Sequence, residues 1–288
     1  MYSNPNIPEG INTSKEHPLK EFSTLLIGAL ILIAVLTFVL GFFGSYFAAK
    51  IPFSAEVKIA SLYDISTDAI SKEDKATSPD KNEKVKALKD YLQTLANKIA
   101  KAQKLPEEMK IIVHYVDGET VNAFATLGGN LILYKGLLKK LPNENALSML
   151  LGHEIAHIKY RHPIKSMGRG VAAGIALAAI TGSTNSSALG EAGLLTTLHY
   201  SRKMEQQSDE EAMQTLNTLY GHINGGTQLF EEFKKMRIEE DAGESPALFS
   251  SHPLDQQRID NFTRMATLKH WKTSGKLTPL PDFFSMTH

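Results

Sequence analysis

The chain has 288 residues, 42% of them hydrophobic, which is enough for the packed core of one large domain or two small ones. Its 31 basic residues balance 31 acidic ones, and no long basic stretch is present, so nucleic-acid binding is not indicated. The absence of cysteine excludes disulfides, thiolate metal sites and thiol nucleophiles, and mildly favours an oxidising compartment. Any metal site must therefore use histidines and carboxylates.

The first predicted element is an uncharged apolar segment at residues 22–49, which is preceded by a polar tail at residues 1–21. It is longer than the ~20 residues that cross a ~30 Å hydrocarbon core, so it predicts one transmembrane anchor. A buried core helix of this length is unusual in a small domain, and a cleaved signal peptide has a shorter apolar region. An uncleaved signal anchor fits better than either alternative.

The orientation of this anchor is not fixed by charge, because Lys15 and Lys20 before it are balanced by Lys50 and Lys58 after it. A single N-terminal anchor most simply delivers the downstream domain across the membrane. We therefore expect the tail in the cytoplasm and the large C-terminal domain on the extracytoplasmic side.

Residues 50–80 combine a short apolar patch with the polar stretch "STDAISKEDKATSPDKNEK" and predict a linker or surface segment. A helix is predicted from Ser78 and Pro79, with a buried stripe at three- and four-residue spacing: Val85, Leu88, Leu92, Leu95 and Ile99. Two strands come next, in Lys110–Val116 and in "NLILY". Between them, Gly128 and Gly129 indicate a hairpin or a close backbone approach.

Three further helices are predicted from apolar periodicity. The first begins near Asn143, carries "HEIAH" and ends at Pro163; the second ends at Gly221; the third lies in "HPLDQQRIDNFTRMATL". The uncharged residues 170–190 predict a buried or interfacial helix and a loop, with a re-entrant membrane contact or a substrate lid as alternatives. Residues 81–288 thus form one mainly helical α+β domain with a small sheet.

The "HEIAH" run at residues 153–157 carries the clearest chemistry. Residues four apart lie on one face of a helix, so His153 and His157 can hold one ion while Glu154 points beside it. Zinc in such a site lowers the pKa of water and polarises a carbonyl, and a glutamate can move the proton. The alternative is a pair of solvent-facing histidines on a helix.

A third protein ligand is needed, and the best candidate is Glu205 in "SRKMEQQSDEEA". Asp209 lies one turn later on the same face, where its carboxylate could accept a hydrogen bond from a ligand histidine. A solvated acidic helix face is an equally good interpretation of the spacing, and Glu210 and Glu211 are competing carboxylates.

Three blocks, "HEIAH", "SRKMEQQSD" and "SSHPLDQQRI", resemble in order and spacing the membrane-associated zinc metallopeptidases related to the HtpX heat-shock and CAAX prenyl proteases. That family includes periplasmic and mitochondrial quality-control proteases. The resemblance covers about residues 80–265, and "VNAFATLGGNLILYKGLL" is similar to a family block that forms a strand bordering the cleft.

The resemblance implies a zincin-like domain with one Zn²⁺ per chain, held by His153, His157 and Glu205, with Glu154 as the catalytic base. It implies that Asp209 supports a ligand histidine and that His252 stabilises the oxyanion. Arg258 would be a structural or substrate-facing arginine. The strand implied to bind substrate comprises Asn122, Ala123, Phe124 and Ala125.

The sequence departs from the family pattern at three positions that touch no proposed ligand. Gln207 and Ser208 stand where members commonly have Glu and Ala, and Leu127 stands where proline precedes the glycine pair. These departures put the fit of the substrate in doubt rather than the activity. One membrane span is evident here, whereas HtpX has several.

These features together predict a membrane-anchored zinc endopeptidase that cleaves misfolded or membrane-proximal proteins. Its expected partners are polypeptide substrates and, through residues 22–49, the membrane. A catalytically idle anchored scaffold is the alternative, but the presence of Glu154 argues against it. Prenyl-protein processing would need a membrane-enclosed chamber that one span cannot build.

Overall fold

A computed structural model describes residues 18–62, 79–181, 200–240, 247–253 and 256–287 of the chain. Ten helices lie in these ranges: α1 Pro18–Ala48, α2 Phe53–Ala60, α3 Pro79–Ala102, α4 Lys135–Leu138, α5 Glu144–Lys159, α6 His162–Thr181, α7 Arg202–Tyr220, α8 Asn224–Glu240, α9 Ala247–Ser251 and α10 Gln256–Leu268. The same ranges contain three strands: β1 Ile112–Val116, β2 Ala123–Ala125 and β3 Asn130–Tyr134. The predicted mainly helical α+β class is confirmed.

The sheet has the order β1-β3-β2, with β1 parallel and β2 antiparallel to the central strand. The predicted strand "NLILY" matches β3, and β1 begins two residues after the predicted start at Lys110. Leu131, Ile132 and Leu133 are fully buried. Strand β2 is therefore an edge strand of the sheet in the described part of the chain, and it contacts α5.

The turn between β2 and β3 depends on its two glycines. Gly128 has φ 72° and Gly129 has φ 83°, which is the left-handed region that side chains with a Cβ rarely adopt. A Cβ on Gly129 would also collide with the carbonyl oxygen of Lys110. The glycine pair was expected to mark either a hairpin or a close backbone approach, and the structure has both: it joins the antiparallel strands β2 and β3, and Gly129 lies against Lys110.

Helix α5 is the centre of the domain. The side chain of Asn143 caps its first turn by accepting a hydrogen bond from the Ala146 N–H at 2.9 Å. Every residue from Asn145 to Ile158 is buried, because α3, α7 and α8 pack around the helix. The predicted apolar stripe of α3 contributes to this core.

The end of α5 differs from the prediction that it lies at Pro163. The helix ends at Lys159, and Arg161 then takes φ 59°, so that α6 starts at His162. Pro163 lies in the first turn of α6, where a missing N–H costs no hydrogen bond. The proline therefore starts a helix rather than ending one.

Helix α8 is not predicted from the sequence. Its first turn contains Gly225 and Gly226, which weaken a helix signal. Both are required by packing: a Cβ at Gly225 would meet Asn145, and a Cβ at Gly226 would meet the Phe262 ring. Tertiary contact with α5 and α10 therefore decides the conformation here.

Helix α1 has 31 residues and is, within the described ranges, the one helix long and apolar enough to cross a membrane. It packs against α6. Ala48 of α1 lies in one apolar cluster with Ile164 of α6, and the Gly44 carbonyl oxygen of α1 lies beside Gly168 of α6. Contacts that move back along α1 thus move forward along α6, so the two helices run antiparallel. Of the region predicted as helix and loop, residues 170–181 belong to α6, and residues 182–190 lie outside the described residues.

We expect Gly168→Ala to loosen the contact between α1 and α6. The added Cβ would lie 2.5 Å from the Gly44 carbonyl oxygen and 2.6 Å from the Ala48 Cβ, so the helices must move apart. The free energy of unfolding should fall by about 1–3 kcal/mol. Gly28→Ala is the matched control, because it adds the same atom to a helical glycine with nothing within 4 Å. Thermal unfolding in detergent checks this, and equal melting temperatures for the two variants would contradict it.

Candidate metal centre

Three donor side chains from two helices meet in the core of the domain. His153 and His157, one turn apart on α5, place their Nε2 atoms 3.0 Å from each other. Glu205, in the first turn of α7, lies with its carboxylate oxygens 3.5 Å from His153 Nε2 and 3.4 Å from His157 Nε2. All three side chains are buried, which excludes the solvent-facing alternative for the histidines.

Asp209 fixes the orientation of His153. Its Oδ1 lies 2.9 Å from His153 Nδ1, so this ring nitrogen carries the hydrogen and donates it. When the ring is neutral, its lone pair lies on Nε2, the atom that faces the Glu205 carboxylate. Asp209 is buried in this contact and does not lie on a solvated acidic face, which was the other interpretation of the spacing.

A third histidine orients His157 in the same way. His162 Nε2 lies 3.3 Å from Gln207 Oε1, and its Nδ1 lies 2.9 Å from His157 Nδ1. The Gln207 oxygen accepts from His162 Nε2–H, so His162 Nδ1 is the acceptor for His157 Nδ1–H. His157 Nε2 is left with its lone pair towards His153. Burial, which acts with the Lys165 charge, lowers the pKa of His162 to about 4 and keeps the ring neutral.

His162 is not identified from the sequence. It follows His157, the second candidate ligand, by five residues in "HEIAHIKYRH", and this position does not share the face of α5 that carries His153 and His157. The chain leaves the helix at Arg161, and this change of direction brings His162 back to His157. The extra histidine close to the motif is the one available signal.

Arg258 holds the two carboxylates of α7. Its guanidinium donates to both oxygens of Asp209 at 2.8 Å and lies 2.9 Å from Glu205 Oε2. Burial would raise the pKa of both acids, but Arg258 and the neighbouring histidines outweigh it and lower the pKa of Asp209 and, more strongly, of Glu205. Arg258 is itself buried. This placement favours the structural role over the substrate-facing one.

The donor set fits a zinc ion. Two imidazole nitrogens and a carboxylate are ligands that Zn²⁺ takes, and the candidate donor atoms of His153, His157, Glu205 and His252 all lie within 4.8 Å of one another. Burial would lower the pKa of His153, yet the Glu205 and Asp209 carboxylates raise it to about 10. The two carboxylates therefore favour a positive charge among these donor atoms, which either a proton on His153 or a metal ion would supply.

Glu154 has one anchored and one unbonded oxygen. The Ala125 N–H donates to its Oε2 at 2.9 Å, whereas its buried Oε1 has no hydrogen-bond partner among the described residues. Burial raises the pKa of this carboxyl. A buried carboxylate with a raised pKa and a free oxygen beside the donor cluster is suited to accept a proton.

His252 lies immediately after α9, in the same cluster. Its Nδ1 is 3.1 Å from Glu205 Oε1, and its Nε2 is 3.4 Å from Glu154 Oε1. The resemblance implies a partner for the oxyanion, and the structure places one nitrogen of His252 among the candidate donors and the other against the base. A cavity of about 20 Å³, lined in part by His153, Glu154 and His252, has room for one water or ion.

The residues implied to bind substrate lie along β2. Because the Tyr134 N–H bonds the Asn122 carbonyl and Phe124 pairs with Ile132, the backbone groups of Ala123 and Ala125 point to the free edge. Ala125 uses its N–H for Glu154, and its carbonyl accepts from the Tyr200 hydroxyl at 3.1 Å. The backbone of Ala123 also faces this edge, but Ala123 is fully buried and α9 contacts β2, so the edge is covered in the described part of the chain.

Tyr200 also covers one side of the candidate ligand His157. Its ring stacks on His157 with the centroids 3.9 Å apart. Burial and the Glu154 and Glu205 charges raise its pKa well above the usual value, so the phenol stays protonated and donates. This tyrosine is not identified from the sequence.

The two competing acids on α7 have other partners. Glu211 pairs with Lys159 at 2.7 Å and accepts from the Tyr160 hydroxyl. Glu210 accepts from Gln206 at 2.9 Å. Of the acidic candidates on this helix, the structure brings Glu205 and Asp209 to the histidines.

Comparison with known proteins agrees with this arrangement. The model of "Peptidase family M48" matches residues 86–266, which contain every candidate ligand and Glu154. This chain belongs to peptidase family M48. Members of this family are zinc-dependent metallopeptidases, and the resemblance to them that the sequence indicated is confirmed.

Several curated proteins are similar to this M48 chain. "Mitochondrial metalloendopeptidase OMA1" of Schizosaccharomyces pombe is 30% identical over 53% of this chain and 45% of its own length. "Beta-barrel assembly-enhancing protease" of Yersinia pestis is 25% identical over 60% of this chain and 38% of its own. "Metalloprotease YcaL" of Escherichia coli is 28% identical over 71% and 81%. The chain thus spans less than half of the first two relatives.

Proposed function

We propose that this protein is a membrane-anchored zinc endopeptidase that hydrolyses peptide bonds in misfolded or membrane-proximal proteins. The observation that supports it most directly is the buried cluster of His153, His157 and Glu205 with Glu154 beside it. A site that only stored a metal would not need a buried carboxylate with one unbonded oxygen.

His153, His157 and Glu205 would hold the zinc, which supplies a Lewis acid that polarises the peptide carbonyl and acidifies water. The Ala125 N–H holds Glu154 by Oε2, so Oε1 is the atom that takes the proton from the attacking water. Its raised pKa then lets the same atom deliver the proton to the leaving amine. His252, at 3.4 Å from Oε1, can donate to the developing oxyanion from Nε2.

The substrate would bind as an added strand along β2. Because Ala123 is buried beside α9, α9 would have to move away before the N–H and carbonyl of Ala123 pair with the backbone of an extended peptide. Backbone pairing reads sequence weakly, which suits the cleavage of misfolded chains. The names of the relatives, a beta-barrel assembly-enhancing protease and a mitochondrial metalloendopeptidase, support a role in protein quality control.

Casein cleavage by the full chain in detergent tests the activity. We expect zinc-loaded protein to cleave casein, because hydrolysis needs the metal. A chelator should therefore abolish cleavage, and added zinc should restore it. If the chain binds about one zinc yet leaves casein intact with and without chelator, the scaffold alternative replaces the peptidase.

Helix α1 would anchor the protein as a single pass, with the catalytic domain on the extracytoplasmic side. At ~1.5 Å per residue its 31 residues reach about 46 Å, more than a bilayer core needs. In right-side-out vesicles, a protease added outside should therefore remove a C-terminal tag. A tag that is cut only after the vesicles are opened would reverse the proposed orientation.

A further inference from the structure

Helix α2, which comes directly after the membrane anchor, carries a buried carboxylate that no step of the proposed hydrolysis uses. Glu56 is 2% exposed. Its Oε2 accepts a hydrogen bond from Arg161 Nε at 2.7 Å and also lies 2.6 Å from Arg161 Nη2. Its Oε1 accepts from the Gly128 N–H at 3.0 Å. We refer to Glu56, Arg161 and Gly128 as the Glu56 bridge.

We propose that Glu56 is a positioning residue for peptide hydrolysis, because its two oxygens hold the two sides of the catalytic site in register. This inference rests on the proposed peptidase function. Helix α2, which follows the proposed membrane anchor, would then help to position the catalytic groups.

The Arg161 side of the bridge fixes the end of the ligand helix. Arg161 lies between His157, a proposed ligand, and His162, which bonds the His157 ring at 2.9 Å. Its guanidinium also donates to the Ile51 carbonyl at 2.9 Å and lies over the Phe53 ring at 5.5 Å. Contacts from the start of α2 thus hold the residue where the chain turns back towards His157.

The Gly128 side fixes the edge strand. Gly128 follows Ala125 by three residues, and the Ala125 N–H anchors Glu154 Oε2. The Thr126 N–H bonds the Asn130 carbonyl at 2.8 Å, so the turn that contains Gly128 moves together with the end of β2. A shift at Gly128 would therefore displace the atom that aims the catalytic base.

Packing shows that α2 is seated on this turn rather than loosely beside it. A Cβ on Gly128 would come within 2.9 Å of the Ala60 Cβ and 3.2 Å of the Val57 Cα. The buried side chain of Phe53 lies against Gly129. The close approach leaves no space for Gly128 to change position while α2 stays in place.

Glu56 lies outside the part of the chain that matches the family model, which begins at residue 86. The sequence predicts a linker or surface segment for residues 50–80, yet α2 in its first part is docked on the catalytic domain. The Glu56 bridge joins three separate parts of the sequence, because Glu56 on α2 bonds both Gly128 after β2 and Arg161 after α5. The membrane anchor and the catalytic site are thereby coupled through one carboxylate.

The test compares the full-length, zinc-loaded protein with Glu56→Gln, which keeps the size of the side chain and removes its charge. We expect kcat for casein cleavage to fall by roughly 10- to 100-fold, because small errors in the placement of reacting groups are costly, with KM changed less than about threefold. Amide exchange in residues 126–131 should become at least about tenfold faster, while α7 keeps its protection. Zinc content should stay unchanged.

Two further variants keep the result interpretable. Glu107→Gln, at an exposed glutamate, should leave both kcat and exchange unchanged. Glu56→Asp retains the charge on a shorter side chain and should restore part of kcat. An unchanged kcat in Glu56→Gln, or faster exchange spread evenly over α5 and α7, would overturn the positioning role. If wild type itself does not cleave casein, the proposed function fails, and exchange at residues 126–131 decides the bridge alone.

Discussion

Glu154→Gln is expected to lower the rate of casein cleavage by about 10²- to 10⁴-fold, the range attributed to general acid–base catalysis, without loss of zinc. Glutamine can still accept the Ala125 N–H that now bonds Oε2 at 2.9 Å, so the position of the side chain is preserved. It cannot take a proton from water at the other atom. The measurement is initial cleavage rate together with zinc content by mass spectrometry.

Glu210→Gln is the matched control for this substitution. Glu210 is a neighbouring acid on α7 that bonds Gln206 rather than the histidines. Its replacement should leave the rate within about twofold of wild type, since surface substitutions have small effects. Equal rates for wild type and Glu154→Gln would remove Glu154 from the mechanism.

The second large effect is expected from Arg258→Gln. Arg258 bonds Asp209 through two donors and lies 2.9 Å from Glu205, and all three groups are buried. Its removal leaves two buried carboxylates without their cation, which typically costs about 3–5 kcal/mol of the free energy of unfolding. Because Asp209 orients His153, zinc affinity should also fall by roughly 10- to 100-fold.

Urea unfolding of the chelated protein measures the first effect, and competition with a metal chelator measures the second. Arg264→Gln, on the same helix, is the control because that arginine is exposed and bonds the Asn261 side chain at 3.0 Å. A stability loss in Arg258→Gln no larger than in Arg264→Gln would contradict the role of the buried network.

The parts of the site that are predictable are those encoded by local spacing. Four-residue intervals on two helices indicate His153 with His157 and Glu205 with Asp209, and helical geometry alone places each pair on one face. The glycine pair indicates the turn after the edge strand. The association between the two helices comes from the family resemblance, since spacing leaves the competing acids open.

The parts that could not be predicted depend on contacts between distant segments. His162 reaches His157 because Arg161 adopts φ 59°, a backbone conformation that the local sequence does not predict. Glu56 meets Arg161 across 105 residues of sequence, and the short apolar patch around Glu56 does not indicate which part of the chain it will contact. Helix α8 begins with a glycine pair that weakens the local signal, and packing against α5 decides its conformation.

Helix α1, the proposed membrane anchor, and the domain that matches the peptidase family form one connected structure in the described part of the chain. Helix α1 packs on α6, whose first residue orients the proposed ligand His157, and α2 reaches the same site through Glu56. A peptidase built in this way would hold its cleft at a fixed place relative to the membrane. That arrangement suits substrates presented close to the bilayer.

The central claim is that His153, His157 and Glu205 hold a catalytic zinc next to Glu154. Anomalous diffraction at the zinc edge from crystals of the full chain tests it most directly. We predict one fully occupied peak per chain, bounded by the Nε2 atoms of the two histidines and the Glu205 carboxylate. A zinc-containing crystal with no anomalous peak at these three side chains, or with its zinc peak elsewhere in the chain, would contradict the claim.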